Sequence, residues 1–163
     1  MLNSYDYMIG IDPGLTGAVA VLDKFGRLVN LHDLPTAGNG KGSAKVKNQI
    51  SAPELANILQ LYPNSIACLE SVASRPGQGV AGVFSLGDSF GCIRGTLGAL
   101  RIPLIMVSPN AWKNACGIAK GADKDYSRTL ALQLFPEANI GLKKHHNRAE
   151  AILLARHLLK SGR

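Results

Sequence analysis

Two short apolar segments that each end in an acidic residue constrain the fold of this chain more than any other feature of its sequence. Residues 7–12 read Tyr-Met-Ile-Gly-Ile-Asp and stop at Pro13-Gly14, and residues 66–70 read Ile-Ala-Cys-Leu-Glu. Short apolar runs bounded by turn residues predict buried strands. We therefore expect Asp12 and Glu70 to stand at the ends of two buried strands.

The other segments alternate between strands and helices. Residues 17–22 and 27–32 complete a three-strand meander with a hairpin at Gly26, and residues 102–107 predict a further buried strand. Helical spacing and capping residues predict helices over residues 51–61, 79–100, 109–113, 123–135 and 146–160. This order predicts one α/β domain over residues 1–163, in which a mixed five-stranded sheet carries helices on both faces.

The charge of the chain favours an anionic partner. Lys and Arg number 18 against 11 Asp and Glu, which gives a formal net charge of +7. Nucleic acid fits this surplus better than a membrane surface, because no basic amphipathic helix is present, although many basic proteins bind nothing anionic. The three cysteines form no CxxC pair, and we expect a reduced cytoplasmic protein without a signal peptide or membrane span.

Two segments predict surfaces for partners. Residues 36–50 contain three lysines, three glycines and no acid, which predicts a mobile basic loop. Within the helix at 79–100, Gly87, Gly91 and Gly95 recur every four residues on one face. Because interior glycines weaken a helix, something must approach this face closely. The candidates are the sheet beneath it and a partner helix across a dimer.

A third acid lies inside an apolar helix. Glu150 falls within residues 149–155, where an ionised carboxylate is costly unless it is paired or binds a metal. His146 and Asn147 precede it on the same helical face. Three converging carboxylates, without CxxC or HExxH, indicate Mg²⁺ or Mn²⁺ rather than zinc.

Each acid also has a simpler interpretation. Asp12 suits a turn before Pro-Gly, Glu70 suits a surface position at a strand end, and Glu150 could pair with Arg148 or Lys143. Only the joint placement of the three acids favours a metal site.

Five segments together resemble the RuvC family of Holliday junction resolvases, within the RNase H-like superfamily. They are residues 9–17, 68–72, 107–113, 121–124 and 147–155, and their order and spacing match over nearly the whole chain. The loop around residues 75–79 resembles phage or prophage relatives. The resemblance implies an RNase H-like nuclease domain and a crossover junction endodeoxyribonuclease. Such an enzyme resolves four-way DNA junctions by paired symmetric nicks that leave 5′-phosphates, in a bacterial or phage-infected cell.

The same resemblance implies roles for individual residues. Asp12, Glu70 and Glu150 are implied to be catalytic and to hold two Mg²⁺ or Mn²⁺ ions, with Asn147 or His146 as a further ligand. Lys124 is implied to neutralise charge at the scissile phosphate, and the helix at 79–100 to form a homodimer interface. The expected DNA-binding residues are Lys41, Lys45, Lys47, Arg75, Lys113, Lys124, Lys143, Lys144 and Arg148.

This sequence departs from the family pattern at three places. Glu150 stands where the family usually carries Asp, and Asn147 stands where it carries an acid or His. Residues 71–79 contain no aromatic side chain that could wedge into a junction.

Two other functions fit parts of the sequence. One is a branched-DNA-binding protein with a weakened catalytic site, which Asn147 favours. The other is an ATP-binding protein of the actin and sugar-kinase type, which also begins Asp-x-Gly-x-Thr-Gly but is far longer than 163 residues.

Overall fold

The computed structural model describes residues 4–40, 48–74, 76–123 and 125–162. The strands in these ranges are β1 (Tyr7–Asp12), β2 (Ala18–Asp23), β3 (Leu28–Asp33), β4 (Thr36–Gly38), β5 (Asn48–Ile50), β6 (Ser65–Glu70) and β7 (Leu104–Val107). The helices are α1 (Ala52–Gln60), α2 (Val80–Ala99), α3 (Pro109–Ala115), α4 (Tyr126–Leu134) and α5 (His146–Ser161), with a 3₁₀ turn at Lys143–His145.

A mixed five-stranded sheet in the order β3-β2-β1-β6-β7 forms the centre of the fold. The first three strands are an antiparallel meander, and β6 and β7 continue the sheet parallel to β1. The turn between β2 and β3 follows from its sequence. Gly26 adopts a φ of 87°, and the Asp23 carboxylate accepts hydrogen bonds from the backbone N–H groups of Phe25 and Arg27.

Helices cover both faces of the sheet, as the sequence predicts. Alternate residues of β1 enter different cores: Met8 packs with α3, α4 and α5, whereas Ile9 and Ile11 pack with α1 and α2. Helix α5 lies directly against β1. A Cβ atom at Gly10 would overlap the backbones of Ala151 and Ala155, so this glycine permits the close approach.

Three local predictions need correction. Strand β7 was expected to be buried, but it is an edge strand in which Ile105 is 43% exposed and Met106 51% exposed. Helix α4 begins at Tyr126 rather than at residue 123, after a turn in which the Asp123 side chain accepts from the Asp125 N–H. The predicted loop at 36–50 has regular ends, because β4 and β5 pair as a small antiparallel sheet. Lys41, Lys45 and Lys47 lie outside the described residues.

The glycine face of α2 does not pack on the sheet. Gly87, Gly91 and Gly95 are exposed, and a Cβ atom built on any of them would meet nothing within 4 Å. The opposite side of α2 packs into the core instead, and Ile93 and Leu97 are fully buried there. Of the two candidates for this face, close packing against the sheet is therefore wrong. Among the described residues, no helix combines the length and the apolar character needed to cross a bilayer.

Candidate active site

Three acids from different elements meet at one edge of the sheet. Asp12 ends β1, Glu70 ends the parallel strand β6, and Glu150 lies in the second turn of α5. One carboxylate oxygen from each lies within 4.8 Å of the other two. The carboxyl ends of adjacent parallel strands coincide, and the close contact of α5 with β1 adds the third acid. The structure thus brings together all three acids that the sequence singles out.

The site concentrates negative charge around a buried group. Asp12 is only 8% exposed, and no hydrogen bond to its carboxylate is seen in the described part of the chain. Burial, reinforced by the neighbouring charges of Glu150 and Glu70, raises the pKa of Asp12 to about 8, although Lys113 acts in the opposite direction. Closely spaced carboxylate oxygens are the donors preferred by hard divalent cations. The donor set therefore fits Mg²⁺ or Mn²⁺.

Helix α3 supplies hydrogen-bond partners for two of the acids. The indole N–H of Trp112 donates to Oε2 of Glu70 over 2.6 Å, and Lys113 Nζ lies 2.9 Å from Oε1 of Glu150. The Ser127 hydroxyl also donates to Oε1 of Glu150, over 3.3 Å. Glu150 therefore forms an ion pair, but its partner is Lys113 and not Arg148 or Lys143. Nothing in a single sequence marks Trp112 or Ser127 as belonging to the site.

Arg148 and Asn147 make contacts that their sequence positions do not reveal. Nε and Nη2 of the Arg148 guanidinium group each donate to one carboxylate oxygen of Asp33, at the end of β3, over 2.6 Å. The Asn147 amide donates to the carbonyl and hydroxyl oxygens of Thr16, over 2.6 Å and 3.0 Å. Asn147 thereby joins the start of α5 to the turn between β1 and β2.

Asp12 and Glu150 line a cleft of about 690 Å³. His146 and Asn147 line this cleft, but His146 is not one of the three side chains whose ligand atoms cluster within 4.8 Å. Asn110, Asn114 and Lys120, which the sequence does not single out, line the side formed by α3 and the segment after it. Lys143 and Lys144 are exposed on the 3₁₀ turn before α5. Arg75 and Lys124 lie outside the described residues.

Comparison with known proteins supports the fold through structure alone. No protein-family model matches the sequence, and no curated protein matches it significantly. A solved structure of T. thermophilus RuvC in complex with a Holliday junction substrate is similar to this chain, with a TM-score of 0.69 and 14% identity over 94% of both chains. A Thermus thermophilus RuvC structure gives a TM-score of 0.58 and 15% identity, over 94% of this chain and 95% of the other. The chain has the RNase H-like fold of these RuvC structures, with the same mixed five-stranded sheet and covering helices.

Proposed function

We propose that this protein is a metal-dependent, structure-specific endonuclease that resolves four-way DNA junctions by paired symmetric nicks, leaving 5′-phosphates. The observation that carries the proposal is the carboxylate cluster of Asp12, Glu70 and Glu150 at the carboxyl ends of β1 and β6. Support for a branched substrate comes from the fold, since one structure with this fold was solved with a Holliday junction.

The three acids would hold Mg²⁺ or Mn²⁺, with Asn147 or His146 as candidate further ligands. Divalent ions held there would activate water and stabilise charge on the phosphate, and two ions are proposed. Lys113 is one-third exposed, lines the cleft and lies 2.9 Å from Glu150, which supports a role for its ammonium group in balancing charge on the phosphate. Lys124 is proposed to neutralise charge on the scissile phosphate as well.

The proposed DNA surface includes residues near the start of α5. Lys143 and Lys144 directly precede this helix, whose residues His146 and Asn147 line the cleft, and their exposed ammonium groups are suited to contacts with backbone phosphates. Arg148 already forms a bidentate ion pair, so its contribution to DNA binding is expected to be smaller. The remaining proposed contacts are Lys41, Lys45, Lys47 and Arg75.

Paired nicks require two active sites, and we assign the dimer interface to α2. Its outer face combines the glycines with two exposed apolar side chains, Val80 at 85% and Phe84 at 74% exposure. Glycines without neighbours allow another helix backbone to approach closely, and a two-fold axis matches the symmetry of a junction. The occupant of this face is therefore proposed to be α2 of a second copy.

The test uses an end-labelled four-way junction and a duplex of matched sequence, with and without Mg²⁺ or Mn²⁺. The wild-type protein should nick opposing strands of the junction only when the ion is present. Asp12→Asn should bind the junction without cutting it, whereas Asp6→Asn, on the surface directly before the first residue of the same strand, should cut normally. Binding without cutting under either ion would instead favour a junction-binding protein. Loss of cutting in both variants would contradict the assignment of Asp12.

A further inference from the structure

Two adjacent residues of α3 contact two different acids of the candidate site. Trp112 donates to Glu70 on β6, and Lys113 pairs with Glu150 on α5. The two contacts differ in exposure. Trp112 is completely buried, whereas one-third of the Lys113 side chain is exposed. The indole is consequently the more rigidly held of the two donors.

The position of α3 follows from its attachment to β7. Val107, the last residue of β7, is the register partner of Glu70, and its carbonyl accepts from the N–H of Ser71 over 2.8 Å. Ser108 then caps α3 by accepting from the Ala111 N–H. Ser108 alone therefore separates Val107, the strand residue beside Glu70, from α3, the helix whose Trp112 donates to Glu70.

We propose that Trp112 is a positioning residue, which holds the Glu70 carboxylate toward Asp12 and Glu150 through its indole N–H. A donor to a charged carboxylate forms a short, strong hydrogen bond, and here the donor is fixed by packing in the core. Partners of this kind orient metal-binding carboxylates and influence metal affinity. The inference rests on the proposed metal site and adds a residue, Trp112, that orients Glu70 within it.

The first test is Trp112→Phe, which keeps an aromatic ring in the core and removes the N–H donor. We expect the affinity for Mn²⁺, measured from the electron paramagnetic resonance signal of the unbound ion, to fall by about tenfold or more. Tyr62→Phe is the matched control. It removes the hydroxyl bonded to His32 in the opposite core and should leave Mn²⁺ affinity unchanged. Equal Mn²⁺ affinity in wild type and folded Trp112→Phe would overturn the proposal.

The second test needs no change to Trp112, so it remains decisive if Trp112→Phe does not fold. Trp112 is the single tryptophan of the chain, and its fluorescence therefore reports on one location. Paramagnetic Mn²⁺ bound at the acids should quench this emission saturably, with the same Mn²⁺ affinity as that measured by electron paramagnetic resonance. Asp12→Asn should abolish this saturable quenching. Saturable Mn²⁺ binding without a change in Trp112 emission would overturn the proposal. Neither measurement involves DNA, so failure to cut junctions would leave both results interpretable.

Discussion

Replacing Asp12 with Asn should change the stability of the metal-free protein in a pH-dependent manner. Burial beside two other acids raises the pKa of Asp12 from 3.8 to about 8. Between these values the folded protein holds a proton that the unfolded chain has lost, so this group destabilises the fold progressively as pH rises. The asparagine that replaces Asp12 carries no titrating proton, so the variant lacks this pH dependence.

The magnitude follows from the pKa itself. Each pH unit within this window corresponds to about 1.4 kcal/mol, so the Asp12 contribution should fall by on the order of 4 kcal/mol between about pH 5 and about pH 8. For a domain of this size, that difference corresponds to roughly 10 °C in melting temperature. Asp12→Asn should therefore resemble wild type near pH 4 and exceed it in stability by a growing margin up to about pH 8, when both are free of metal.

The assay is thermal or urea denaturation of both proteins in EDTA across this pH range, repeated with saturating Mn²⁺. The ion should stabilise wild type most strongly at the higher pH, because binding requires the deprotonated carboxylate. Asp12→Asn should gain much less. A stability difference that does not vary with pH, or equal stabilisation of both proteins by Mn²⁺, would refute the reasoning.

Three further predictions test separate parts of the proposal. Gly91→Leu should leave the fold intact, because a Cβ there meets nothing within 4 Å, but should convert a dimer to a monomer in sedimentation velocity; a persisting dimer would place the interface elsewhere. Lys144→Ala should lower the salt dependence of junction binding by about one counterion, whereas Arg148→Ala should have a smaller effect because its guanidinium already pairs with Asp33. Equal changes for the two variants would contradict this ranking. Lys113→Met should reduce cutting without weakening Mn²⁺ binding, because the Lys113 ammonium, 2.9 Å from Glu150, competes with a metal ion for that carboxylate. Weaker Mn²⁺ binding would indicate a structural role for Lys113.

The sequence predicts the elements of the sheet well because local information defines them. The apolar run before Asp12 and the run before Glu70 become β1 and β6, and both acids end their strands as expected. The five-stranded mixed sheet then follows from the order of strands and helices. The position of β7 was harder to predict, since an apolar strand at a sheet edge has the same local composition as a buried one.

Contacts between side chains from distant segments could not be read from the sequence. The simpler interpretation of Glu150 pairs it with Arg148 or Lys143, but tertiary packing brings Lys113 to it instead. Likewise, Asn147 donates to Thr16, which is 131 positions away. The glycines of α2 recur at helical spacing, yet that spacing does not reveal whether their face meets the sheet or remains exposed.

The missing side chain at position 10 links the carboxylate cluster to the packing of the core. Because β1 and α5 touch through their backbones there, the separation of Asp12 and Glu150 is set by main-chain contact and not by adjustable side-chain packing. Exchange of the loops around the cleft would alter its entrance but would leave the spacing of these two carboxylates unchanged. Changing that spacing requires a larger residue at Gly10 and a displaced helix. The entrance to the cleft can therefore diverge among proteins of this architecture more readily than the spacing of its carboxylates.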